Sequence, residues 1–236
     1  MSISIIVSAY NEQASLEAVT REVVSTLDEM GHPYEVLIID DGSTDGTSEI
    51  ADRMAEKYDH AIAIHHRANQ GLGVVYRTAF SHATCDYLTI IPGDGEVPAA
   101  TIPTFLSLMD DRDMVLGFLP EGKFRANGKP DWRSRLLSGT ERKIYRLLFG
   151  TFPRFQGNLM FRRKLLEELP LSSTGRGWLV MTEVIIRASQ AGYRIASVPI
   201  EMRPRVAGKS KVKNARMAVI ILRQIISLWL HMRWKH

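Results

Sequence analysis

Val36-Leu37-Ile38-Ile39-Asp40-Asp41-Gly42-Ser43-Thr44-Asp45-Gly46-Thr47 is the stretch from which the fold can be read. Four consecutive apolar residues make a strand buried on both faces, as in parallel sheets. The residues after it, Ser48-Glu49-Ile50-Ala51-Asp52-Arg53-Met54-Ala55, read as a helix. Asp40 and Asp41 therefore stand at the C-terminal lip of a strand, where open α/β sheets bind ligands. Gly42 permits a tight turn, and Ser43, Thr44 or Asp45 can cap the helix. A carboxylate in this place suits the hydroxyls and ring N–H groups of a nucleotide.

The same alternation runs outward in both directions. Strands are expected over 2–8, 35–39, 61–65, 87–91 and 114–119, and helices over 15–30, 71–83 and 98–109. In the first helix Leu16, Val19, Val23, Leu27 and Met30 recur at helical spacing, and Gly31 is a good stop. Strands alternating with helices predict an α/β, doubly wound, mostly parallel sheet with helices on both faces. Beyond it the pattern changes to a polar loop over 118–130 and a basic helix over 132–149. Then come a strand over 155–161, helices over 162–169 and 179–191, a last strand over 193–198 and a helix over 211–234.

Composition sets limits on class and partners. The 236 residues suit one α/β domain with a full core. The single cysteine, Cys85, allows no internal disulfide and agrees with a reducing cytoplasm. The start lacks a basic n-region and reads as a strand rather than a signal peptide. The net charge of +4 hides a segregation: residues 1–60 hold thirteen acids and three Lys or Arg. Residues 123–163 hold eleven basic residues against Asp131 and Glu141, and 203–236 holds nine basic residues and no acid. The first part suits a metal or a ribose, the remainder a phosphate or an anionic surface. Aromatics do not cluster with the basic residues in any nucleic-acid module, so nucleic acid is not an expected partner. His65 and His66 read as a partly buried pair rather than metal ligands.

Four strand ends in the first half carry polar clusters: Ser8-Ala9-Tyr10-Asn11-Glu12, the Asp-rich octamer from Asp40, Asn69-Gln70-Gly71-Leu72-Gly73, and Pro92-Gly93-Asp94-Gly95-Glu96. In a parallel sheet all four lie on one edge and converge on one site. Together they resemble the inverting nucleotide-sugar glycosyltransferases of family 2, whose fold is called GT-A. The resemblance implies that Ala9, Tyr10, Glu12, Asp40 and Asp41 line a pocket for the nucleotide base and ribose. It also implies that Gly71 and Gly73 let a helix pack close beside the donor. It implies Asp94, with Glu96, as the holder of Mg²⁺ or Mn²⁺ on the donor diphosphate. The family's Asp-x-Asp is Pro92-Gly93-Asp94 here, which leaves one carboxylate of that motif and motivates a non-catalytic sugar-nucleotide-binding alternative.

In the second half Gly157, Phe161-Arg162-Arg163, Glu183 and Arg205-Val206-Ala207-Gly208-Lys209-Ser210-Lys211 resemble the subgroup acting on polyprenyl or dolichyl phosphate. That implies Arg205, Lys209 and Lys211 at the acceptor phosphate. A phosphate monoester, with a second pKa of about 6, is already a nucleophile at neutral pH. A sugar hydroxyl would need a general base, for which Glu183 is the candidate. The Gln-x-x-Arg-Trp fingerprint of processive polysaccharide synthases is absent. The expected organisation is one domain over 1–236: a nucleotide half (1–119), an acceptor half (120–210) and a basic amphipathic helix (211–236). The apolar run from Met217 to Leu230 would span about 21 Å as helix, short of a hydrocarbon core of about 30 Å. Three placements fit it: packed on the sheet, against a partner protein, or in a membrane interface. The expected location is cytoplasmic, peripheral on the inner face of a membrane.

Overall fold

The computed structural model describes residues 1–120, 143–155, 157–173, 177–204 and 215–233, with the backbone alone over 215–221. Its strands are β1 (Ile3–Ala9), β2 (Tyr34–Asp40), β3 (Ala61–His65), β4 (Tyr87–Pro92), β5 (Met114–Phe118), β6 (Leu159–Arg162) and β7 (Ile195–Pro199). They form one sheet in the order β3-β2-β1-β4-β6-β5-β7. The pairings β2–β3, β1–β2, β1–β4 and β5–β7 are parallel. The expected sheet is present, with one strand reversed: β6 runs antiparallel between β4 and β5. Apolar content marks a buried strand but carries no sign of its direction.

The helices are α1 (Leu16–Met30), α2 (Thr47–Lys57), α3 (Leu72–His82), α4 (Thr101–Leu106), α5 (residues 143–149), α6 (Lys164–Glu168), α7 (Leu179–Gln190) and α8 (Ala215–Arg233). Alternate strand residues feed two cores. Ile3, Ile5, Val7, Val36 and Ile38 pack against α1, α2 and α4. Ile6, Leu37, Ile39, Leu88 and Ile90 pack against α3 and α5 to α8. Burial on both faces explains the continuous apolar runs, each large side chain contributing roughly 1.5–3 kcal/mol. The predicted stop of α1 is present: Gly31, at φ 65°, donates its N–H to the carbonyls of Leu27 and Asp28.

Two predicted elements are shorter than expected. The helix over 98–109 is reduced to α4, because Leu108 and Met109 bond three residues back, to Phe105 and Leu106. The strand over 155–161 begins only at Leu159. Gly157 sits at φ 106°, and the Asn158 carbonyl is taken by the Gly117 N–H at 2.7 Å. Most of the predicted helix over 132–149 lies outside the described residues, of which 143–149 are helical.

Candidate functional site

The order β3-β2-β1-β4 with all four strands parallel brings their C-terminal ends to one edge. The chain reverses its order of strands between β1 and β4, a switch point of the kind where α/β sheets bind ligands. Side-chain to backbone hydrogen bonds fuse the loops there. Asn11, in the left-handed region at φ 55°, donates its N–H to Ser43 Oγ at 2.9 Å. Its Oδ1 accepts from Thr44 N at 2.8 Å. Glu12 N–H donates to Thr47 Oγ1 at 2.8 Å, and Gly46 N–H to Gln13 Oε1 at 3.0 Å. Ser15 Oγ donates to the Gly93 carbonyl at 2.7 Å, tying α1 to the β4 loop. The N-cap of α2 is Gly46 rather than a predicted residue, and Asp45, just before it, accepts from Thr47 N at 3.0 Å through Oδ1.

The two adjacent aspartates are each bonded to one of two adjacent histidines. Parallel register sets Asp40 beside His65. Asp40 Oδ1 accepts from Ser43 N at 3.0 Å, and its Oδ2 from Ser48 Oγ at 2.6 Å and His65 Nδ1 at 3.1 Å. Burial alone would raise the Asp40 carboxyl, and these hydrogen bonds outweigh it, holding it below the ordinary value. Burial alone would lower His65. Asp40 and Asp52, which face its two ring nitrogens at 3.1 and 3.0 Å, outweigh that and raise it. Both nitrogens face carboxylates, so the doubly protonated ring satisfies both.

The sign of the pH effect follows. His65 is raised, so its stabilisation is complete below the ordinary imidazole value of 6.5 and is lost as pH rises through its folded value. Asp40 is lowered, so its part is present above 3.8 and is lost only as pH falls through its folded value. Thermal melts from mildly acidic to mildly alkaline pH are expected to show the parent losing stability relative to His65→Gln across the upper part of that range. Parallel profiles for parent and variant would remove the role.

Asp41, 3% exposed, is a hub. Its Oδ1 accepts from His66 Nδ1 at 2.8 Å and Gln70 N at 2.9 Å, its Oδ2 from Asn69 Nδ2 at 2.9 Å and Gly71 N at 2.8 Å. A carboxylate only accepts, so His66 carries a proton on Nδ1, and its Nε2 is hydrogen-bonded with Thr78 Oγ1 at 2.9 Å. The loop backbone is pressed against the octamer. A Cβ on Gly42, at φ 67°, would lie 2.4 Å from the Ala68 carbonyl carbon, so only glycine fits.

The donor-side residues named from the sequence meet at this edge. Ala9 is buried at the lip and accepts from Asp41 N at 2.9 Å through its carbonyl; Tyr10 and Glu12 are half-buried beside it. Gly71 takes φ 91° and Gly73 is buried in the first turn of α3. The carboxylates of Asp40 and Asp41 accept from protein donors, because buried acceptors must be paired. The Asp–His pairs escaped the sequence reading; the signal was that His65 and His66 end the strand beside β2.

Asp94 and Glu96 lie in the turn after β4 and are 7% and 6% exposed. Asp94 Oδ1 accepts from Glu96 N at 3.0 Å, fixing the turn around Gly95 at φ 73°. The Glu96 carbonyl accepts from Arg203 N at 2.8 Å, so the segment after β7 runs beside the turn. Arg205, Lys209 and Lys211 lie outside the described residues.

Glu183, the candidate base, is held entirely by protein donors. It is fully buried in α7. Ser172 N, Ser172 Oγ and Arg187 Nε donate to Oε1 at 3.0, 2.9 and 2.8 Å, and Ser173 N to Oε2 at 2.7 Å. Burial alone would raise its carboxyl; the bonds from Ser173, Arg187 and Ser172 outweigh it and lower it. A low-pKa carboxylate filled by protein donors anchors the 172–173 segment and is a poor general base.

The four strand-end loops thus meet at a switch point of the sheet, with Asp94 and Glu96 in the turn after β4. Residues 4–170 match the family model described as glycosyl transferase family 2, and the chain belongs to that family. It is 27% identical to an undecaprenyl-phosphate 4-deoxy-4-formamido-L-arabinose transferase of Enterobacter, over 91% of this chain and 64% of that one. It is 27% identical to a polyprenol monophosphomannose synthase of Mycolicibacterium smegmatis, over 90% and 82%. It is 28% identical to glycosyltransferase AglD of Haloferax volcanii, over 97% of this chain; the chain spans 37% of that relative's length. Among solved structures, glucosyl-3-phosphoglycerate synthase from Mycobacterium tuberculosis, in complex with Mn²⁺, UDP-glucose and phosphoglyceric acid, shares the fold. Its TM-score is 0.71 at 18% identity, covering 97% of this chain and 79% of that one.

Proposed function

We propose that the chain is an inverting glycosyltransferase that moves a sugar from a nucleotide diphosphate sugar to a polyprenyl or dolichyl phosphate. The observation that carries this is the convergence of the four strand-end loops on one edge, with the Asp40–Asp41 turn after β2 and the Asp94–Glu96 turn after β4 on either side of β1. The names of the relatives in Enterobacter and Mycolicibacterium support the acceptor class. In the transfer an acceptor phosphate oxygen bonds to the anomeric carbon as the carbon–oxygen bond to the diphosphate breaks, and the electron pair leaves with the diphosphate. The phosphate dianion needs no proton removed, which agrees with Glu183 serving as an anchor. The glycan-hydroxyl alternative loses its candidate base for the same reason.

Asp94 and Glu96 supply hard oxygen ligands two residues apart, a donor set that fits Mg²⁺ or Mn²⁺ when diphosphate oxygens complete the shell. Among the described residues no group of three or more His, Cys, Asp or Glu is placed to hold a metal ion. When bound, the cation neutralises charge on the leaving diphosphate. Ala9, Tyr10, Glu12, Asp40, Asp41, Gly71 and Gly73 form the donor side. Arg205, Lys209 and Lys211 hold the acceptor phosphate.

α8 supports a membrane-surface location. Ile225 and Leu228 are buried, whereas Leu222, Ile226 and Leu230 are 41%, 41% and 44% exposed, four residues apart on one stripe. Arg223 and Arg233 are exposed beside them, and Arg233 stacks over Trp229 at 4.8 Å. Such a stripe with cations suits an anionic interface. Among the described residues no helix is long and apolar enough to cross a membrane.

One experiment tests the proposal: a panel of nucleotide sugars with Mn²⁺ or Mg²⁺ and a short polyprenyl phosphate in anionic vesicles. Released nucleoside diphosphate, glycolipid and vesicle binding are read at low and high salt. Turnover is expected to need the lipid phosphate, to stop with chelator, and to fall about a hundredfold in Asp94→Asn, the scale of one lost preorganised electrostatic contact. Vesicle binding is expected to weaken with salt. Full activity of both chelated parent and Asp94→Asn would remove the cation. Preference for a soluble sugar acceptor would favour the glycan-hydroxyl alternative, and binding without turnover the non-catalytic one.

A further inference from the structure

A cleft of about 340 Å³ lies between α5, α7 and α8, and its walls include Phe149, Arg187, Gln190, Trp229, Met232 and Arg233. That size is in the range of small-ligand sites. α7 ends at Gln190 and leads into Ile195, the first residue of β7. β6 runs against both β4 and β5, and β7 runs with β5, so β7 points the same way as the donor-side strands. The end of α7, and the cleft with it, therefore stands at the edge of the sheet opposite Asp40 and Asp41. No Asp or Glu lines the cleft. Arg187 gives its Nε–H to Glu183 at 2.8 Å, and its terminal N–H groups have no hydrogen-bond partner among the described residues. Its side chain is 14% exposed, so it is a fixed donor rather than a solvated surface cation. Arg233 lies over the Trp229 ring at 4.8 Å and makes no ion pair with a described residue. Gln190 Nε2 donates to the Phe149 carbonyl at 3.2 Å and braces α7 against the end of α5.

Two guanidinium groups between aromatic and thioether walls suit a phosphate carried on an apolar body. The planar forks match phosphate oxygens, and the walls take the carbon next to them. Trp229 and Arg233 stand three and seven residues after Ile226, on the same side of α8. The cleft therefore opens beside the exposed stripe of Leu222, Ile226 and Leu230. We propose that the cleft holds the phosphate of an anionic phospholipid headgroup, bound between Arg187 and Arg233, with the lipid's chains along that stripe. A free phosphate would engage the two arginines and leave the apolar walls and the stripe uncovered, so the lipid is the better match. This rests on the membrane-surface reading of α8 and adds to it a defined site for one lipid, beyond diffuse attraction to a charged leaflet.

The test measures binding of the full chain to phosphatidylcholine vesicles with and without phosphatidylglycerol, and calorimetry with inorganic phosphate. The parent is expected to bind the vesicles that contain phosphatidylglycerol and to show no saturation with inorganic phosphate. Arg187→Lys is expected to weaken vesicle binding about tenfold at unchanged net charge, because a lysine keeps the pair with Glu183 and has no fork left for a phosphate. Arg233→Gln is expected to weaken it by at least about tenfold, and the exposed Arg233 holds no described residue by an ion pair, so the fold is kept. Arg223→Gln removes the same charge outside the cleft and is expected to cost about fivefold, the scale of one cation near an anionic leaflet. If the parent binds these vesicles and Arg187→Lys binds them equally well, or Arg233→Gln binds no more weakly than Arg223→Gln, the headgroup site is wrong and the membrane-surface reading survives. Saturable binding of inorganic phosphate that is lost in Arg187→Lys, with vesicle binding unchanged, would overturn the lipid as the source of the phosphate. If the parent binds no vesicles, the membrane-surface reading fails and the headgroup site fails with it.

Discussion

Asp41→Ala is expected to abolish nucleotide binding and to destabilise the protein by about 3 kcal/mol. The buried carboxylate gathers four donors from one loop, and its removal leaves His66 and the Gly71 N–H without their acceptor. Each unpaired buried donor costs about 1–3 kcal/mol, while Asn69 and Gln70, being exposed, recover water. Loss of the hub also removes the acceptor that a ribose or base would use and loosens the loop around Gly71. Nucleotide affinity is therefore expected to fall more than about a hundredfold, the scale of a charge-assisted bond together with the ordering of its loop. Calorimetry of binding and of unfolding measures both parts. A folded Asp41→Ala protein with parental affinity would mean that this edge does not hold the nucleotide.

The second large effect is expected at Glu183, and it falls on stability rather than on chemistry. Glu183→Ala leaves Arg187, whose side chain is 14% exposed, without its ionic partner and strips the acceptor from the Ser172 and Ser173 amides. Breaking a buried pair from one side costs about 3–5 kcal/mol, a drop in Tm on the order of 10 °C for a domain of this size. The lowered carboxyl sets the pH direction. The stabilisation is present above the ordinary value of 4.5 and is lost as pH falls through the folded value, so the Tm difference between parent and variant closes in acid. Glu183→Gln keeps the shape without the charge and is expected to lose less stability while turning over normally per folded molecule. A well-folded Glu183→Gln protein with no turnover would restore the general-base role and the glycan-hydroxyl acceptor with it.

The loops at the site differ in how far they could be read. The β2 turn was legible because an apolar run followed by Asp, Asp and Gly has few other uses, and strand alternation alone put four polar turns on one edge. The direction of β6 was not legible. Leu159–Arg162 is apolar whichever way it runs, and its reversal follows from how the chain re-enters the sheet between β4 and β5. The partners of Asp41 and of Glu183 were not legible, for a shared reason. Residue type names a carboxylate, but only the partners brought to it by folding say whether its lone pairs face a ligand or the protein.

By itself the sequence determined the α/β class, five of the strands nearly to the residue, the family and the loops that meet at the site. These are short-range properties, set by periodicity, turn chemistry and the charge of neighbours along the chain. Tertiary structure alone decided the hub at Asp41, the Asp40–His65–Asp52 chain, the anchoring of Glu183 and the stripe of Leu222, Ile226 and Leu230 left outside. Each depends on groups distant in sequence, or on which helix face the core covers. Hydrogen-bond saturation and burial belong to the packed assembly and are not carried by any single stretch of chain.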